Sequence, residues 1–530
     1  TKRSETTRSD YLEKMNGARK EGPKRAHLTC GNQAHAYAPV PEDQKRLIDE
    51  AGGNIGIINA YNDMLSAHQP FQKYPEIIKK AARLVGGTAQ VAAGVPAMCD
   101  GITQGQTGME LSLFSRDAIA MSAAIGLSHN VFDTTVYLGV CDKIVPGMII
   151  SAATFGHLPA VFLPAGPMTT GQSNDEKAKI RQDFAEGKAN RSDLMASEMS
   201  SYHGPGTCTF YGTANTNQML MEFMGLHLPG SSFVNPNTPL RDALTDFGAK
   251  HALSISDLNS NYIPVSKILD EKAYVNGIVG LMATGGSTNL LIHLIAMARA
   301  SGIIIDWSDF AEISKVIPLL AKVYPNGLAD VNHFHAAGGL GLVITELLGA
   351  DLLHSDTQTI MGTGLEAYTK EPKIINGELG WHSGVSSSLN SKIISTTAEP
   401  FQETGGLADL NGNLGSAVMK VSAVEKSRRK ITAPVRVFND QQSVIDAFRA
   451  GEFTHDVIIA VRYQGPRANG MPELHNLTPS MSVLQSRGLK VALITDGRMS
   501  GASGKVPAAI HMSPEALDEG PIAYLQNGDI

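Results

Sequence analysis

The sequence predicts an α/β protein of two domains, a large layered N-terminal domain and a smaller, more β-rich C-terminal domain. The chain of 530 residues exceeds the roughly 250–300 residues at which a single hydrophobic core stops growing. From residue 55 to about residue 300, short apolar runs alternate with longer helix-like segments, which is typical of a largely parallel sheet. Near residues 393–400 this alternation gives way to short strands and turns.

The N-terminal elements follow one another in the order that a layered parallel sheet requires. Residues 115–126 are helix-like, residues 136–140 and 160–163 are short apolar runs, and residues 213–224 are again helix-like. Most glycine-rich motifs come directly after the apolar runs. Because sites in open α/β sheets lie beyond the carboxyl ends of the strands, we expect the functional residues in those loops.

The C-terminal elements are shorter and are separated by turns. Residues 433–437, 457–461 and 490–495 are strand candidates, and residues 409–415 and 464–472 are rich in turn residues. The domain boundary is therefore expected near residue 394, which gives an N-terminal domain of residues 1–393 and a C-terminal domain of residues 394–530.

Composition and charge exclude several classes of protein. The formal net charge is −7 at pH 7 and the pI is about 6.1, whereas a nucleic-acid-binding domain shows a basic stripe or a pI above about 9. No apolar stretch approaches the roughly 20 residues of a membrane span, and the polar N-terminal segment lacks the apolar core of a signal peptide. We therefore expect a cytoplasmic protein without nucleic-acid or membrane partners, whose four cysteines stay reduced.

Three of the cysteines lie in loops with polar or acidic neighbours. Cys141 follows an apolar strand and precedes Asp142 and Lys143, and a lysine close to a thiol favours the thiolate that binds metal or attacks carbon. Cys208 lies in a Gly/Thr-rich turn before a helix, whose N-terminal amides stabilise an anion. Cys99 forms another Cys-Asp pair before a glycine turn.

These three cysteines are candidates for one iron–sulfur site. Their separations, 42 residues from Cys99 to Cys141 and 67 from there to Cys208, differ from the local ferredoxin pattern. Three thiolates on a four-iron cluster leave one iron open to act as a Lewis acid on a substrate hydroxyl. The alternative is structural packing: a buried cysteine beside a surface ion pair at position 141, and a cysteine in a tight turn at position 208. Cys30, in a polar arm, has no comparable neighbours.

Three carboxylates and one loop of small residues are further candidates for binding. Asp100, Asp142 and Glu473 offer the hard oxygen ligands that suit Mg²⁺, although each is also typical of a turn or a surface. Residues 283–289 open a helix and suit a phosphate or carboxylate held by backbone amides, although an ordinary helix N-cap has the same composition. The candidate contacts in this loop are Ser287, Thr288 and Asn289.

A strand candidate runs into the Gly/Ser-rich turn of residues 496–505. Ser500 in this turn resembles an exposed nucleophile or base, but the G-x-S-x-G spacing of a hydrolase elbow is missing. Arg498 and Lys505 are candidates for contact with an anionic substrate, and solvated turn charges explain them equally well.

Five segments together resemble one known family. They are residues 141–147, 206–215, 286–289, 470–473 and 495–501. Any one of them can arise by chance, but all five, in order and across most of the chain, are similar to the family of dihydroxy-acid, aldonic-acid and 6-phosphogluconate dehydratases. Residues 98–105, 207–217 and 501–507 resemble the 6-phosphogluconate branch most closely.

The resemblance implies an iron–sulfur cluster with Cys141 and Cys208 as ligands. Relatives with a two-iron cluster carry their first cysteine where this chain has Ser66, so the resemblance favours Cys99 as the third ligand and a [4Fe-4S] cluster. It also implies Ser500 as the catalytic base. The implied Mg²⁺ candidates are Asp100, Asp142, Glu473 and Lys143, a residue that is carbamylated in some relatives. Because Cys99 adjoins Asp100, the absence of a separate Mg²⁺ site in this branch stays an alternative.

The family fold is an α/β/α N-terminal domain followed by a swivelling, β-barrel-like C-terminal domain. Relatives continue beyond the residue that matches Ile530, which implies a C-terminal domain that is incomplete at its end. The resemblance also implies a homodimer, with its site near the junction of domains and subunits.

The implied reaction removes the C2 proton and the C3 hydroxyl of 6-phospho-D-gluconate in the Entner–Doudoroff pathway of gluconate metabolism. One alternative is a dehydratase for a non-phosphorylated sugar acid or dihydroxy acid. Another is a non-catalytic metal or redox sensor that uses the three thiols.

Overall fold

The computed structural model of the protein describes residues 1–48, 52–501 and 503–530. The strands are β1 (Asn54–Asn59), β2 (Thr88–Gly94), β3 (Thr134–Leu138), β4 (Ala160–Phe162), β5 (Gln358–Thr359), β6 (Gly362–Thr363), β7 (Lys370–Ile375), β8 (Glu378–Ser383), β9 (Leu407–Gly412), β10 (Gly415–Lys420), β11 (Val435–Phe438), β12 (Val457–Val461), β13 (Val491–Thr495) and β14 (Ala508–Ser513). The α-helices are α1 (Glu5–Lys20), α2 (Cys30–Tyr37), α3 (Gln44–Ile48), α4 (Tyr74–Leu84), α5 (Asp100–Thr103), α6 (Ser115–Leu127), α7 (Ile144–Thr154), α8 (Asn174–Ala185), α9 (Arg191–Ser201), α10 (Thr213–Phe223), α11 (Pro239–Ser254), α12 (Val265–Ile268), α13 (Glu271–Thr284), α14 (Asn289–Ala300), α15 (Trp307–Val316), α16 (Val331–Ala336), α17 (Gly339–Gly349), α18 (Gln441–Arg449), α19 (Pro466–Asn469) and α20 (Leu477–Ser486).

The N-terminal sheet is parallel, with the strand order β2-β1-β3-β4. In β1, Asn54 lies opposite Thr88 of β2 and Ile55 lies opposite Thr134 of β3. β1, β3 and β4 are buried almost throughout, as expected for strands covered on both faces. β2 follows β1 in the chain and lies on one side of it, whereas β3, the next strand, lies on the other side of β1. β1 and β3 therefore flank the topological switch point, where sites of open α/β sheets lie.

Helices cover both faces of this sheet. α4 joins β1 to β2, whereas α6 and α7 lie on connections that run in the opposite direction. Because such crossovers are right-handed, α4 lies on one face and α6 and α7 on the other. α11 packs against α4, and α6 packs against α7. In α4 the residues Tyr74, Ile78, Ala81 and Ala82 are buried, which is the spacing of an amphipathic helix with one face on a sheet.

The C-terminal sheet is mixed, with the order β11-β12-β13-β14-β10-β9. β11 to β14 are parallel, and β10 pairs antiparallel with both β14 and β9. Gly415 ends the tight turn of the β9–β10 hairpin with a φ of +107°, a backbone conformation that favours glycine. The larger cluster of buried apolar residues extends from the N-terminal sheet into the C-terminal sheet, so the two regions share a core. A second, smaller cluster lies within the C-terminal region.

The structure confirms the predicted fold class, with a parallel α/β region and a separate β-rich C-terminal region. β12 coincides with the predicted strand 457–461, and α6 extends one residue beyond the predicted helix 115–126. The prediction of a turn-rich segment at 409–415 is wrong, because most of it lies in β9 and β10, where Leu410 pairs with Ala417. The segment 464–472 contains the short helix α19. In the part of the chain that is described, no helix is long and apolar enough to span a bilayer.

Candidate active site

Cys99, Cys141 and Cys208 lie on loops beyond the carboxyl ends of the N-terminal strands. Cys99 follows β2 and caps α5, Cys141 follows β3, and Cys208 precedes α10. The Cys208 loop contacts the segment that follows β1, because the backbone N–H of Gly206 donates to the carbonyl of Ser66 at 2.8 Å. The three cysteine loops thus gather around the switch point of the sheet.

Two asparagines of α10 hold the turns that carry Cys141 and Cys208. The side-chain amide of Asn217 donates to the carbonyls of Cys141 and Asp142 at 3.1 and 3.0 Å. Asn215 donates to the carbonyl of Cys208 at 2.6 Å. Cys141 has a φ of +75°, which is uncommon for a residue other than glycine. The surrounding contacts therefore impose a backbone conformation that the residue would seldom adopt by itself.

The three thiols influence one another electrostatically. Burial is the largest cause that raises the pKa of Cys208 to about 12, and the next is Cys99. Burial, followed by Cys99, raises the pKa of Cys141 well above its ordinary value, and Cys208 also contributes. Burial raises the pKa of Cys99 as well. Cys30 is exposed at the start of α2. The structure thus gathers the three predicted cysteines and leaves the fourth apart.

A cluster of three carboxylates lies next to these thiols. One oxygen from each of Asp100, Asp142 and Glu473 lies within 4.8 Å of the other two, close enough to bind one metal ion. The Lys143 ammonium contacts Asp100 and lies 3.4 Å from Asp142. Arg498 donates to Glu473 at 2.7 Å and to Asp100 at 3.1 Å. With every group ionised, three negative and two positive charges leave one net negative charge.

Neutral donors complete the cluster. The hydroxyl of Ser112 donates to Asp100 at 2.6 Å. The amides of Gln104 and Asn289 donate to Glu473 at 3.0 and 3.1 Å. Buried charges are tolerated when they are both paired and hydrogen-bonded, and each of these bonds reduces the cost of burying a carboxylate.

The pKa values of the carboxyl groups move in opposite directions. Burial opposes ionisation of Asp100, but Lys143 and Arg498 outweigh it and hold the pKa of Asp100 well below its usual range. Burial raises the pKa of Glu473 to about 7, although Arg498 opposes the shift. Burial also raises the pKa of Asp142. Neighbouring acids with separated pKa values are typical of catalytic sites.

The charge cluster exists only where the N-terminal and C-terminal regions meet. Arg498 follows β13 and Glu473 follows α19, and a parallel bridge joins their backbones. The guanidinium of Arg498 also donates to the carbonyl of Met471 at 2.7 Å. Asp100 and Lys143 come from loops of the N-terminal sheet. Contact between the two regions is therefore a condition for pairing these charges.

The Ser500 turn packs against the loop of residues 283–289. Ser500 and Thr288 line the same cavity. A Cβ atom placed on Gly501 would lie 2.5 Å from the hydroxyl oxygen of Ser287, so this approach requires glycine. The Ser287 hydroxyl is hydrogen-bonded to Thr213 at 2.8 Å. The two loops therefore form one side of this cavity, and α14 begins at the end of the 283–289 loop.

The remaining residues predicted to contact the substrate differ in burial and in whether they line the cavity. Of the three residues proposed in the 283–289 loop, Ser287 and Asn289 are buried in internal hydrogen bonds, and Thr288 lines the cavity. Arg498 is 1% exposed, which contradicts the alternative that it is a solvated turn charge. Lys505 is exposed, with its ammonium 5.7 Å from the Tyr324 ring centre. It is not among the described residues that line the cavity.

Sequence reasoning missed several residues of the site. Gln104 lies in the recognised segment 98–105 but received no role, and Ser112 lies outside every recognised segment; the role of both depends on carboxylates that other loops supply. Asn217 lies in a recognised segment but received no role. Lys420, which lines the cavity with Ser500, did leave a signal. It ends a run of four buried residues in β10, residues 417–420, and shares the face of Val418 two positions earlier; a lysine at such a buried strand position is unusual.

The fold and the site place the chain in a known class of enzymes. The chain belongs to the dihydroxy-acid/6-phosphogluconate dehydratase family: its N-terminal family model matches residues 53–368 and its C-terminal family model matches residues 392–530. The chain is therefore a dehydratase, a hydro-lyase, as the resemblance predicted.

Individual relatives agree with the predicted branch. The chain is 60% identical to the phosphogluconate dehydratase of Rhizobium meliloti (strain 1021) over 530 residues, which covers 100% of this chain and 88% of that protein. It is 57% identical to the phosphogluconate dehydratase of Escherichia coli (strain K12), again over 100% of this chain and 88% of that protein. A dihydroxy-acid dehydratase of Ignicoccus hospitalis is 36% identical over 90% of this chain and 84% of its own length.

Proposed function

We propose that this enzyme dehydrates 6-phospho-D-gluconate to 2-dehydro-3-deoxy-6-phospho-D-gluconate in the Entner–Doudoroff pathway. Its relatives of 54–60% identity are phosphogluconate dehydratases. The observation that carries the proposal is the position of Ser500, two residues after Arg498, which anchors a buried carboxylate cluster next to three thiols. Dehydration requires a base that removes a proton from carbon and a group that helps a hydroxyl to leave. Ser500 would supply the base, and the neighbouring thiols would hold the group that activates the hydroxyl.

Cys99, Cys141 and Cys208 would hold a [4Fe-4S] cluster. Their thiols suit this group because burial, followed by the neighbouring Cys99, raises the pKa of both Cys141 and Cys208, and the positive charge of iron would favour the thiolates against that shift. Backbone N–H groups of Gly101 and Ile102 lower the pKa of Cys99 against the effect of burial and so favour its thiolate. When bound, such a cluster supplies an open iron that acts as a Lewis acid toward a substrate hydroxyl.

The carboxylate cluster does not fit a separate Mg²⁺ ion in the observed arrangement. Asp100, Asp142 and Glu473 are suitable ligands, but the Lys143 ammonium already contacts one oxygen of Asp100 and lies 3.4 Å from one oxygen of Asp142. Lys143 and Arg498 already compensate two of the three negative charges. A Mg²⁺ ion would therefore require Lys143 to move or to lose its charge, as carbamylation would do. We assign no step to Mg²⁺.

Ser500 would take the C2 proton of the substrate. Serine is a weak base in water, and its environment therefore matters. The cavity that Ser500 lines is bordered by the apolar side chains of Met499, Val506 and Ile510, which limit water and strengthen electrostatic interactions. Thr288, the N-cap of α14, borders the same cavity, so the positive end of that helix favours negative charge there.

The test is anaerobic reconstitution with iron and sulfide, followed by an assay for 2-keto acid formed from 6-phosphogluconate. Cluster-dependent product formation supports the proposed function. Product from D-gluconate or from 2,3-dihydroxy-isovalerate, with none from 6-phosphogluconate, would reassign the enzyme to a non-phosphorylated substrate. Binding of substrate without turnover by a cluster-loaded sample would favour the sensor alternative.

The proposal includes the organisation of the protein. A boundary near residue 394 is supported by the start of the C-terminal family model at residue 392. A homodimer is supported by exposed apolar side chains around α5 and α6, since large apolar patches mark interfaces. These residues are Ile102, Leu111, Phe114, Met121 and Ile125. A cytoplasmic location is supported by the four free cysteines, which suit a reducing compartment.

A further inference from the structure

Lys420 is a buried lysine outside the charge cluster. It is the last residue of β10 and is 7% exposed. Its ammonium has no hydrogen-bond partner among the described residues. Lysine is seldom buried unless it is paired, and the cost of burying an unpaired ammonium is high. A position of this kind indicates a partner that the protein chain itself does not supply.

The cavity around Lys420 has the chemistry of an anion site. Lys420 lines it together with the hydroxyl-bearing residues Ser500, Thr288, Thr478 and Ser503. The hydroxyls of Thr478 and Ser503 are hydrogen-bonded to each other at 3.1 Å. The other side chains of the described lining are apolar, and none is acidic. Within the described lining, the cavity thus combines one cation with four hydroxyl groups and no carboxylate.

Lys420 is electrostatically separate from the carboxylate cluster. Burial lowers the pKa of Lys420 to about 7, and no charged group in the described part of the chain contributes to the shift. In contrast, Lys143 and Arg498 each respond to Asp100, Asp142 and Glu473. An anion in the cavity would favour the charged ammonium, because an opposite charge nearby stabilises it.

We infer that Lys420, assisted by the hydroxyls of Thr478 and Ser503, binds the phosphate group of the substrate and selects phosphorylated over non-phosphorylated sugar acids. This inference rests on the proposed function. The substrate has two anionic ends, the C1 carboxylate beside the reacting carbons and the C6 phosphate. Lys420, a cation separate from the charge cluster, suits the C6 phosphate, which is the end remote from the reacting carbons. The three oxygens of a phosphate also suit a set of several donors.

The first experiment measures anion binding without catalysis. The full chain is titrated with inorganic phosphate at constant ionic strength, and its thermal unfolding midpoint is followed for the wild type and for Lys420→Met. Because a charge-assisted hydrogen bond is lost, we expect the variant to need at least about tenfold more phosphate for the same stabilisation. Equal stabilisation of both proteins, or stabilisation of neither, would overturn the inference.

Two comparisons show whether the variant is correctly folded. Methionine keeps the length of the side chain and removes an unpaired buried charge, so Lys420→Met is expected to unfold at a higher temperature than the wild type without phosphate. The matched control is Lys430→Met, which removes an exposed lysine shortly after β10 and should leave phosphate binding unchanged.

The second experiment measures turnover by reconstituted enzyme. Lys420→Met should raise KM for 6-phosphogluconate at least about tenfold while kcat stays within about threefold, because a remote binding group is lost. A fall in kcat at unchanged KM would place Lys420 at the carboxylate or at Ser500 instead and would contradict the inference. If the wild type binds phosphate through Lys420 but does not turn over 6-phosphogluconate, the proposed function fails while the phosphate site stands.

Discussion

Replacement of Arg498 by methionine tests whether the carboxylate cluster depends on contact between the N-terminal and C-terminal regions. The wild-type guanidinium makes hydrogen bonds to Glu473, Asp100, Ser112 and the carbonyl of Met471. Arg498→Met keeps most of the apolar stem and removes all of these bonds. The ionised cluster then changes from one net negative charge to two, because only Lys143 remains as a cation.

Removal of one partner from a buried ion pair costs about 3–5 kcal/mol, and we expect a loss of this size in the free energy of unfolding at pH 8. The loss should be smaller at pH 6. Burial already raises the pKa of Glu473 to about 7, and Arg498 is the main group that opposes this shift. Without Arg498 the carboxyl group takes up a proton more readily, and the protonated cluster returns to one net negative charge.

Urea unfolding of the cluster-free protein, followed by circular dichroism, measures the effect. The matched control is Arg467→Met, which removes an exposed partner of Asp518 and should cost under about 1 kcal/mol. The double variant Arg498→Met with Glu473→Gln should recover part of the loss, because it removes one carboxylate together with the cation. A loss below about 1 kcal/mol for Arg498→Met, or no recovery in the double variant, would refute the coupling of these charges.

Three further predictions concern the thiols, the base and the dependence on pH. Cys208→Ser should lose cluster iron and turnover together after reconstitution, measured by iron content and absorbance, while Cys30→Ser should keep both; a fully loaded Cys208 variant would exclude this residue as a ligand. Ser500→Ala should lose at least about a hundredfold in kcat while it keeps the absorbance of the cluster, and turnover near the wild-type rate would show that another group takes the proton. Burial lowers the pKa of His68 from 6.5 to about 4, so the unfolded chain binds a proton that the folded chain rejects between these values, and stability falls as the pH drops through this interval. His68→Gln should remove roughly 3 kcal/mol of that pH dependence in urea midpoints measured from pH 7 to 4, and an unchanged slope would contradict a neutral buried imidazole.

Much of the fold could be predicted because the apolar patterns that indicate strands and helices lie within short stretches of the sequence. The strand 457–461 is a continuous apolar run, and the structure has β12 there in full. The hairpin of β9 and β10 was missed because its asparagine and glycine residues are typical of turns. Only the pairing of Leu410 with Ala417 across the ladder shows that the flanking residues are strands.

The candidate site was predictable to the extent that its residues share short motifs. Cys141, Asp142 and Lys143 are adjacent in the chain, so a thiol and charges near one another were expected from the sequence. The bond between Arg498 and Asp100 joins residues 398 positions apart, and no local pattern indicates it. The role of Gln104 as a donor to Glu473 could not be predicted, because the two residues come together only in the folded structure.

The sequence by itself determined the class of fold, the thiols and carboxylates available for chemistry, and the family to which the chain belongs. Apolar periodicity and contiguous motifs carry this information over short stretches of chain. Only the tertiary structure decided which charges are paired and which are buried alone. It paired Arg498 with two carboxylates of the cluster and placed Lys420 in a cavity lined by hydroxyls, where its ammonium has no hydrogen-bond partner among the residues that the structure describes. The cost of a buried charge depends on neighbours that the fold brings from distant parts of the chain.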